Sequence, residues 1–216
     1  MIFDLDGTLI ESEQIWGDVR HAFVIEHGGH WPEGAQEKMI GMRTTEWARY
    51  IHDDLSVALS PEAIAEQVVN AVAQRLAKDV PILPGASEAL ERLAAAFPLG
   101  LATSAARALA KTVLAITGWQ KYFEVVVSAD DVARGKPAPD VYLRALELMQ
   151  ADPRQTAAIE DSANGIRSAH AAQLAVIAIP NREFPPDPAA LALATRVLAR
   201  IGELDVATIN DALANR

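Results

Sequence analysis

Between residues 85 and 179 the sequence alternates short apolar runs with longer segments of helical periodicity. The apolar runs lie at residues 99–102, 124–127, 156–159 and 174–179. Runs of this length are too short for independent helices and are typical of buried strands. The helical segments lie at residues 85–96, 105–117, 139–150 and 164–173. This alternation predicts the α/β class, a doubly wound parallel sheet with helices on both faces, in which ligands bind at the carboxyl ends of the strands.

An all-helical insert is predicted where this alternation is interrupted. No convincing strand lies in this region, and its helical stretches fall at residues 13–27, 35–40, 44–52 and 61–78. Ser60 and Pro61 mark the start of the last stretch, because a hydroxyl at the N-cap and a proline at the first helical position favour a helix start. We therefore divide the chain into a core of residues 1–12 and 80–216 and an inserted helical domain of residues 13–79. Residues 189–200 predict a terminal helix.

Composition excludes several classes of protein. The 216 residues carry 19 Lys and Arg against 29 Asp and Glu, and this net charge of −10, without any basic stripe, predicts that the chain does not bind nucleic acid. The absence of cysteine excludes disulfides and thiolate metal sites. With no secretory signal and no apolar run of about 18 residues, we expect a cytoplasmic protein without a membrane partner. Because only Met1, Ile2 and Phe3 precede the first motif, we expect either a start upstream or omitted residues.

Two aspartates follow directly after the apolar residues Ile2 and Phe3, and Gly7 marks the break into a loop. Extended residues two positions apart point to the same face, so Asp4 and Asp6 lie on one side. Two such carboxyl groups can take different chemical roles, one ionised as a nucleophile or metal ligand and the other protonated as a general acid. The alternative interpretation is a plain turn, since Asp and Gly are common turn residues.

Hydroxyl and ammonium groups follow the next predicted strands. Thr103 and Ser104 lie between an apolar run and a helix, where hydroxyls and backbone N–H groups form an anion site, or else a plain N-cap. Lys136 lies in the proline-stiffened stretch Gly135-Lys136-Pro137-Ala138-Pro139. A lysine held in this way is a point charge for a phosphate, although a solvated loop lysine is the commoner arrangement.

Paired acids, Glu160 and Asp161, end the apolar run at residues 156–159. Oxygen ligands of this kind suit a hard cation. The alternative is that both acids cap the helix that begins near Asn164.

Taken together, four predicted strand ends each supply one complementary group. In order along the chain, these groups resemble the four motifs of the haloacid dehalogenase superfamily of phosphohydrolases: Asp4-Leu5-Asp6-Gly7-Thr8, Thr103, Lys136-Pro137 and Glu160-Asp161. The resemblance covers nearly the whole chain. Within the superfamily the chain is most similar to the branch of phosphoglycolate phosphatase and β-phosphoglucomutase, which carries a helical cap inserted after the first motif. The insert at residues 13–79 lies at that position.

This resemblance implies a Mg²⁺ cofactor. The ion would be held by the side chains of Asp4 and Asp161 and the backbone carbonyl of Asp6, with Glu160 contacting it directly or through water. Asp4 would attack phosphorus to form an aspartyl-phosphate, because a carboxylate is already ionised at neutral pH. Asp6 would protonate the leaving oxygen and later accept a proton from water.

The resemblance also implies how the substrate is held. Lys136, Thr103 and Ser104 would bind the phosphate group. The cap would contact and select the organic part of the substrate, with Gly41 and Arg43 as its candidate substrate-binding residues. We expect a monomeric Mg²⁺-dependent phosphatase acting on a small phosphate monoester, such as a sugar phosphate or phosphoglycolate.

Several alternatives stay open at this point. A β-phosphoglucomutase is the closest, but that enzyme has a cap histidine where this chain aligns Trp16, and losing it favours hydrolysis. A dehalogenase would lack the second acid, Asp6, and a phosphonate-cleaving relative would need a cap lysine, for which only Lys38 and Lys78 are present. A non-catalytic binding module on the same fold is the alternative from another class. We expect the cap tryptophans to be packing residues.

Overall fold

The computed structural model describes residues 1–40 and 42–215 and contains a six-stranded sheet in which every neighbouring pair is parallel. The strand order is β3-β2-β1-β4-β5-β6. The strands are β1 (Ile2–Phe3), β2 (Leu99–Ala102), β3 (Phe123–Val127), β4 (Ala157–Glu160), β5 (Ala175–Ala178) and β6 (Arg196–Val197). The chain therefore crosses over from β3 at one edge to β4 on the other side of β1, as in doubly wound folds, and the predicted fold class is confirmed.

Ten helices accompany the sheet in the described ranges. They are α1 (Glu13–Glu26), α2 (Ala35–Met39), α3 (Thr44–Asp53), α4 (Pro61–Lys78), α5 (Ala86–Ala94), α6 (Arg107–Thr117), α7 (Asp140–Met149), α8 (Ala163–Ala171), α9 (Pro188–Leu191) and α10 (Val206–Ala214). No helix among the described residues is both long and apolar enough to cross a membrane.

The central strand β1 is short, but it is paired on both sides. Ile2 and Phe3 are fully buried and pair with β2 and with β4. Their side chains point to opposite faces of the sheet, as alternation along a strand requires. Phe3 packs into a cluster with residues of α5, α6 and α10, whereas Ile2 packs with residues of α7 and α8. The sheet thus has an apolar helical layer on each face, and β1 is fixed by both layers.

The end of β1 turns sharply, and this turn places the first acids at the edge of the sheet. The backbone N–H of Asp4 still donates to the carbonyl of Ile159 at 3.0 Å, which continues the pairing with β4. Gly7 then adopts a left-handed conformation with φ of 78°, which glycine reaches without the steric cost of a side chain. Its N–H donates to the carbonyl of Ile10 at 2.7 Å. The chain leaves the sheet at this turn and enters α1.

Helices α1 to α4 occupy the stretch between β1 and α5 and pack on one another. Helix α4 packs against α1 and α3, and it also contacts α6 of the sheet layer. Ser60 accepts the N–H of Ala63 at 3.3 Å, so the predicted N-cap of α4 is present. The two connections to the rest of the chain run side by side, because the N–H of Glu11 donates to the carbonyl of Pro81 at 2.8 Å.

The predicted terminal helix at residues 189–200 is wrong. Helix α9 ends at Leu191, and Arg196–Val197 instead form the edge strand β6, parallel to β5. The hydroxyl of Thr195 accepts the N–H of Val176 at 3.2 Å. The open edge of β5 offers backbone groups that need partners, and β-branched residues such as Thr195 and Val197 suit a strand. The last helix, α10, follows at Val206–Ala214 and was not predicted.

Candidate active site

The predicted site residues meet at the carboxyl edge of the sheet. Asp4 follows β1, Thr103 follows β2, Glu160 and Asp161 lie at the end of β4, and Lys136 comes from the loop between β3 and α7. All five are buried. Carboxylate oxygens of Asp4, Glu160 and Asp161 lie within 4.8 Å of one another. The structure therefore gathers distant parts of the chain into one acidic cluster.

Lys136 connects the ends of three strands through its ammonium group. Its Nζ donates to Asp4 Oδ1 at 2.7 Å, to Glu160 Oε1 at 2.5 Å and to the carbonyl oxygen of Ala102 at 3.1 Å. All three protons of the ammonium group thus have an acceptor. Burial lowers the pKa of Lys136, but the carboxylates of Asp4 and Glu160 together raise it above its ordinary value. Lys136 is therefore a permanent positive charge beside Asp4.

Glu160 is surrounded by donors of the protein itself. Besides Lys136, the hydroxyl of Tyr142 donates to Glu160 Oε1 at 2.6 Å, and the N–H of Asp161 and the hydroxyl of Ser162 donate to Oε2 at 3.2 and 3.3 Å. Burial, and next the charge of Glu160, raise the pKa of Tyr142, so its hydroxyl keeps its proton and donates. Glu160 is thereby suited to positioning Lys136. Tyr142 was missed because an apolar helix position was the only signal it gave.

Asp4 and Asp161 carry negative charge that the protein does not fully compensate. Among the described residues, their side-chain hydrogen bonds use only the Oδ1 atoms, from Lys136 to Asp4 and from the hydroxyl of Thr8 to Asp161 at 3.3 Å. Burial, together with the neighbouring carboxylates, raises the pKa of Asp4 to about 8 and that of Asp161 well above its usual range. Three buried carboxyl groups thus face one buried ammonium group.

This arrangement fits a divalent cation. Mg²⁺ takes oxygen ligands and is commonly bound by one or two carboxylates, and the free oxygens of Asp4 and Asp161 offer that donor set. Gly7 keeps the space open, because a Cβ at this position would overlap the carboxylate of Asp161. The Oε atoms of Glu160 already accept hydrogen bonds, so Glu160 is better placed to order the site than to coordinate an ion.

Asp6 lies beside this cluster but contacts the inserted helices. The hydroxyl of Ser12 donates to Asp6 Oδ1, and the side chain of Trp16 is a further hydrogen-bond partner. Burial raises the pKa of Asp6 above its usual value, and these hydrogen bonds offset only part of that rise. Its side chain is outside the group of carboxylates that could hold a metal. The metal role assigned to Asp6 through its backbone carbonyl stays a prediction.

A pocket lies between the carboxyl edge of the sheet and the inserted helices. From the sheet side it is lined by Asp4, Asp6, Thr103, Ser104, Lys136 and Asp161. The hydroxyl oxygen of Thr103 accepts the N–H of Ala105 at 3.0 Å, which leaves the hydroxyl proton available for another acceptor. Helix α6 begins only at Arg107, so Thr103 is not its N-cap. The helices contribute Glu13, Trp16, Arg20 and Trp47, among others.

Arg43 is not brought into this pocket. Its guanidinium donates to the carbonyls of Ala129, Val132 and Ala133 at 3.1, 3.2 and 2.7 Å, in the loop after β3. Three carbonyl acceptors hold the side chain there, and Gly135 leaves it room, because a Cβ at that position would overlap Arg43. These contacts do not support Arg43 as a substrate-binding residue, and that assignment stays a prediction. Gly41, predicted with it, lies outside the described residues.

Sequence reasoning missed Arg20 and treated Trp16 and Trp47 only as packing residues. Both tryptophans are buried, as expected, but they also line the pocket. The missed signal was spacing, because Trp16 and Arg20 are four residues apart on the helix that follows the first motif. Such residues share a helix face.

A doubly wound sheet with a lysine-paired aspartate and further buried acids at its carboxyl edge, under a layer of inserted helices, is the arrangement of an α/β enzyme whose acidic centre could hold a cation. A family model described as haloacid dehalogenase-like hydrolase matches residues 1–179. The chain belongs to this family of hydrolases.

Curated relatives agree with this assignment. Protein CbbY of Rhodobacter capsulatus is 34% identical over 195 residues, which is 84% of this chain and 85% of the relative. Fructose-1-phosphate phosphatase YqaB of Escherichia coli is 31% identical over 172 residues, 80% of this chain and 91% of the relative. A bifunctional riboflavin kinase/FMN phosphatase of Arabidopsis thaliana is 30% identical, but the match spans only 48% of its length. The predicted enzyme class, a hydrolase of phosphoric monoesters, is confirmed.

Solved structures share the fold. CbbY from Rhodobacter sphaeroides, in complex with phosphate, superimposes with a TM-score of 0.86 at 25% identity over 97% of both chains. A β-phosphoglucomutase from Clostridium difficile has a TM-score of 0.84 at 21% identity, over 99% of this chain and 96% of its own. At that identity the second likeness concerns the fold alone.

We predict that Gly165→Ala disrupts the acidic cluster. A Cβ at Gly165 would overlap the carboxylate of Glu160, which Lys136 and Tyr142 hold in place. We expect the free energy of unfolding to fall by about 1–3 kcal/mol, the usual cost of overpacking a buried site. Urea denaturation measures this change. Gly202→Ala is the matched control, since nothing lies within 4 Å of a Cβ there. Equal stability of the two variants would contradict the prediction.

We also predict that the acidic cluster makes the metal-free protein sensitive to pH. Because the folded protein binds the proton of Asp4 more tightly than the unfolded chain does, the stability contributed by this group is lost as pH rises from about 4 to about 8. Asp161 acts in the same direction. Asp161→Asn removes one charge of the cluster, so in EDTA at pH 8 its melting temperature should exceed that of the wild type.

An increase of about 2–4 °C, corresponding to about 1 kcal/mol in a chain of this size, is the expected magnitude. Thermal unfolding at several pH values measures it, and the difference should shrink towards pH 4. Glu66→Gln, which removes an exposed charge from α4, is the control and should change little. A lower melting temperature for Asp161→Asn at pH 8 would show that the cluster is not under electrostatic strain.

Proposed function

We propose that the chain is a Mg²⁺-dependent phosphatase that hydrolyses a phosphate monoester of a small sugar or polyol through an aspartyl-phosphate on Asp4. The observation that carries this proposal is the position of the Asp4 carboxylate. One of its oxygens accepts from Lys136 at 2.7 Å, and the group lies beside Asp161 in the pocket under the inserted helices. The sugar-phosphate class is supported by the relative that is a fructose-1-phosphate phosphatase.

Asp4 is the nucleophile in this proposal. Its carboxylate, whose pKa of about 8 in the metal-free protein would fall beside a bound cation, attacks the phosphorus atom in line with the ester oxygen. A bond forms between Asp4 and phosphorus while the ester bond breaks. Lys136 and the hydroxyls of Thr103 and Ser104 bind the phosphoryl oxygens and reduce their negative charge. Asp4 and Asp161, with the carbonyl of Asp6, would hold Mg²⁺. When bound, the ion would supply the positive charge that lowers the repulsion between carboxylate and phosphate.

Asp6 is the general acid and base. Its raised pKa favours the protonated form that donates a proton to the leaving ester oxygen. The resulting carboxylate then accepts a proton from the water molecule that attacks the aspartyl-phosphate, which releases inorganic phosphate and restores Asp4. Ser12 and Trp16 orient the Asp6 side chain for both proton transfers.

Residues 13–79 act in this proposal as a cap domain that covers the reacting groups. Residues of α1 and α3 line the pocket opposite the acids. A cover of this kind excludes bulk water during the first step and contacts the organic part of the substrate.

A phosphosugar mutase is the second candidate because β-phosphoglucomutases share the fold. Such an enzyme must return the phosphoryl group to a sugar hydroxyl rather than to water. In the described part of the chain no histidine lines the pocket, and Trp16 holds Asp6 at the position aligned with the mutase histidine. These features favour hydrolysis. The acids and lysine that line the pocket also disfavour a binding module without catalytic activity.

The first test measures phosphate release from a panel of sugar and polyol phosphates with and without Mg²⁺. We expect Mg²⁺-dependent turnover that Asp4→Asn abolishes and that Asp6→Asn lowers about 10²- to 10⁴-fold, the usual contribution of a general acid. Glu66→Gln is the matched control for loss of one acidic charge and should retain full activity. The absence of any Mg²⁺-dependent excess over Asp4→Asn on every ester would refute the proposal.

The second test separates hydrolysis from transfer. Phosphorus NMR follows a hexose 1-phosphate incubated with the enzyme and Mg²⁺. We expect inorganic phosphate as the product, because no histidine among the described residues lines the pocket and water can reach the aspartyl-phosphate once the first product has left. Accumulation of hexose 6-phosphate without inorganic phosphate would establish the mutase instead.

A further inference from the structure

Arg20 lies between two indole rings in the wall of the pocket opposite the acids. Its guanidinium carbon is 4.7 Å from the ring centre of Trp16 and 4.9 Å from that of Trp47. The two rings are themselves 5.9 Å apart and inclined by 61°. Only 4% of Arg20 is exposed. The guanidinium is therefore fixed by aromatic contacts from α1 and α3.

The guanidinium has few polar partners in the protein. Its Nε and Nη1 atoms are buried without a hydrogen-bond partner, and no carboxylate of the described residues lies within the 4.0 Å of an ion pair. Cation–π contacts recover only part of the free energy that burial of an unpaired charge costs. Burial lowers the pKa of Arg20 to about 10, although the carboxylates of Glu13 and Asp6 partly offset that shift, so Arg20 remains charged at neutral pH.

The position of Arg20 relative to the reacting groups gives this charge a function. Arg20 lines the same pocket as Asp4 and Lys136, but it belongs to the inserted helices, whereas they belong to the edge of the sheet. A substrate whose phosphate lies at Lys136 directs the rest of its carbon chain towards those helices. Arg20 then faces the end of the substrate that does not react.

We propose that Arg20 is the specificity-determining residue of this pocket and binds a second oxyanion of the substrate, a carboxylate or a second phosphate, at the end remote from the reacting phosphoryl group. This inference rests on the proposed function and narrows its substrate class. An oxyanion supplies the hydrogen-bond acceptors that the guanidinium lacks and a directly paired charge, which the carboxylates of Glu13 and Asp6 do not provide from more than 4.0 Å away. A neutral hydroxyl supplies acceptors only. Charge-assisted hydrogen bonds are about twice as strong as neutral ones, and Arg has the planar geometry that oxyanions match.

Three matched pairs of esters test the proposal. Each pair differs in the group remote from the ester: phosphoglycolate and ethylene glycol phosphate, 3-phosphoglycerate and glycerol 3-phosphate, fructose 1,6-bisphosphate and fructose 1-phosphate. In at least one pair we expect the wild type to have the higher kcat/KM for the ester that carries a second anionic group. Arg20→Met should reduce that preference about 10- to 100-fold, the range for hydrogen bonds to charged groups. For the ester without a second anionic group, Arg20→Met should change kcat/KM less than about threefold.

Two further variants separate recognition from packing. Arg20→Lys keeps the charge and should retain part of the preference. Arg49→Gln removes an exposed cap arginine of α3 and should leave the preference unchanged. A purely structural role for Arg20 predicts that Arg20→Met lowers both members of each pair equally. That result, or a wild type with no preference in any pair, would overturn the inference.

A binding measurement separates this inference from the proposed function. Asp4→Asn keeps the pocket but prevents turnover, so calorimetry with the same pairs in Mg²⁺ measures binding alone. Adding Arg20→Met should raise the Kd of the ester with a second anionic group about 10- to 100-fold. The Kd of the matched ester without that group should stay unchanged. That result, without hydrolysis of any ester by the wild type, would uphold Arg20 and refute the phosphatase. If the wild type hydrolyses an ester but Arg20→Met changes the Kd of both esters of a pair equally, the phosphatase is upheld and the role of Arg20 is refuted.

Discussion

The structure of the site depends on one buried ammonium group. Lys136 Nζ contacts Asp4 Oδ1 at 2.7 Å and Glu160 Oε1 at 2.5 Å, and so connects the ends of β1 and β4 with the loop before α7. Removing one partner from a buried ion pair typically costs about 3–5 kcal/mol, because the other charge is left uncompensated in a medium of low polarity. Lys136 therefore contributes to the fold of the active-site edge as well as to its charge. The orientation of Asp4 follows from this contact.

One ammonium group is insufficient for three buried carboxyl groups, and this imbalance explains the remaining geometry. Gly7 and Gly165 lack the side chains that would displace Asp161 and Glu160, so the acids approach one another despite their repulsion. Tyr142 and backbone N–H groups stabilise Glu160, whereas the side chain of Asp161 accepts a hydrogen bond only from the hydroxyl of Thr8 within the described part of the chain. Natural proteins retain such local conflicts where function requires them. The excess negative charge is the property that suits the site to a cation.

The sequence predicted the parts of this structure that depend on local pattern. Short apolar runs located β2 to β5. Polar residues after β1, β2 and β4 and in the loop after β3 located Asp4, Thr103, Asp161 and Lys136, because parallel strands bring their carboxyl ends together. The sequence was less informative about groups whose partners are distant along the chain. Arg43 donates to carbonyls about 90 positions away, and β6 forms because it completes the edge of β5. For Arg20 the sequence offered only its spacing from Trp16 on α1, because its second aromatic neighbour, Trp47, comes from α3.

The inserted helices are physically coupled to Asp6, the general acid of the proposed mechanism. Helix α1 begins immediately after the first motif, and Ser12 and Trp16 of this segment both contact the carboxylate of Asp6. Arg43 provides a second attachment, from the start of α3 to the loop after β3. Motion of the helices away from the sheet would separate Trp16 from Asp6 and Arg20 from the pocket at the same time. In the proposed mechanism, substrate recognition by Arg20 and proton transfer by Asp6 therefore require the same position of the inserted helices, and an ester that fails to hold these helices in place would also fail to align Asp6.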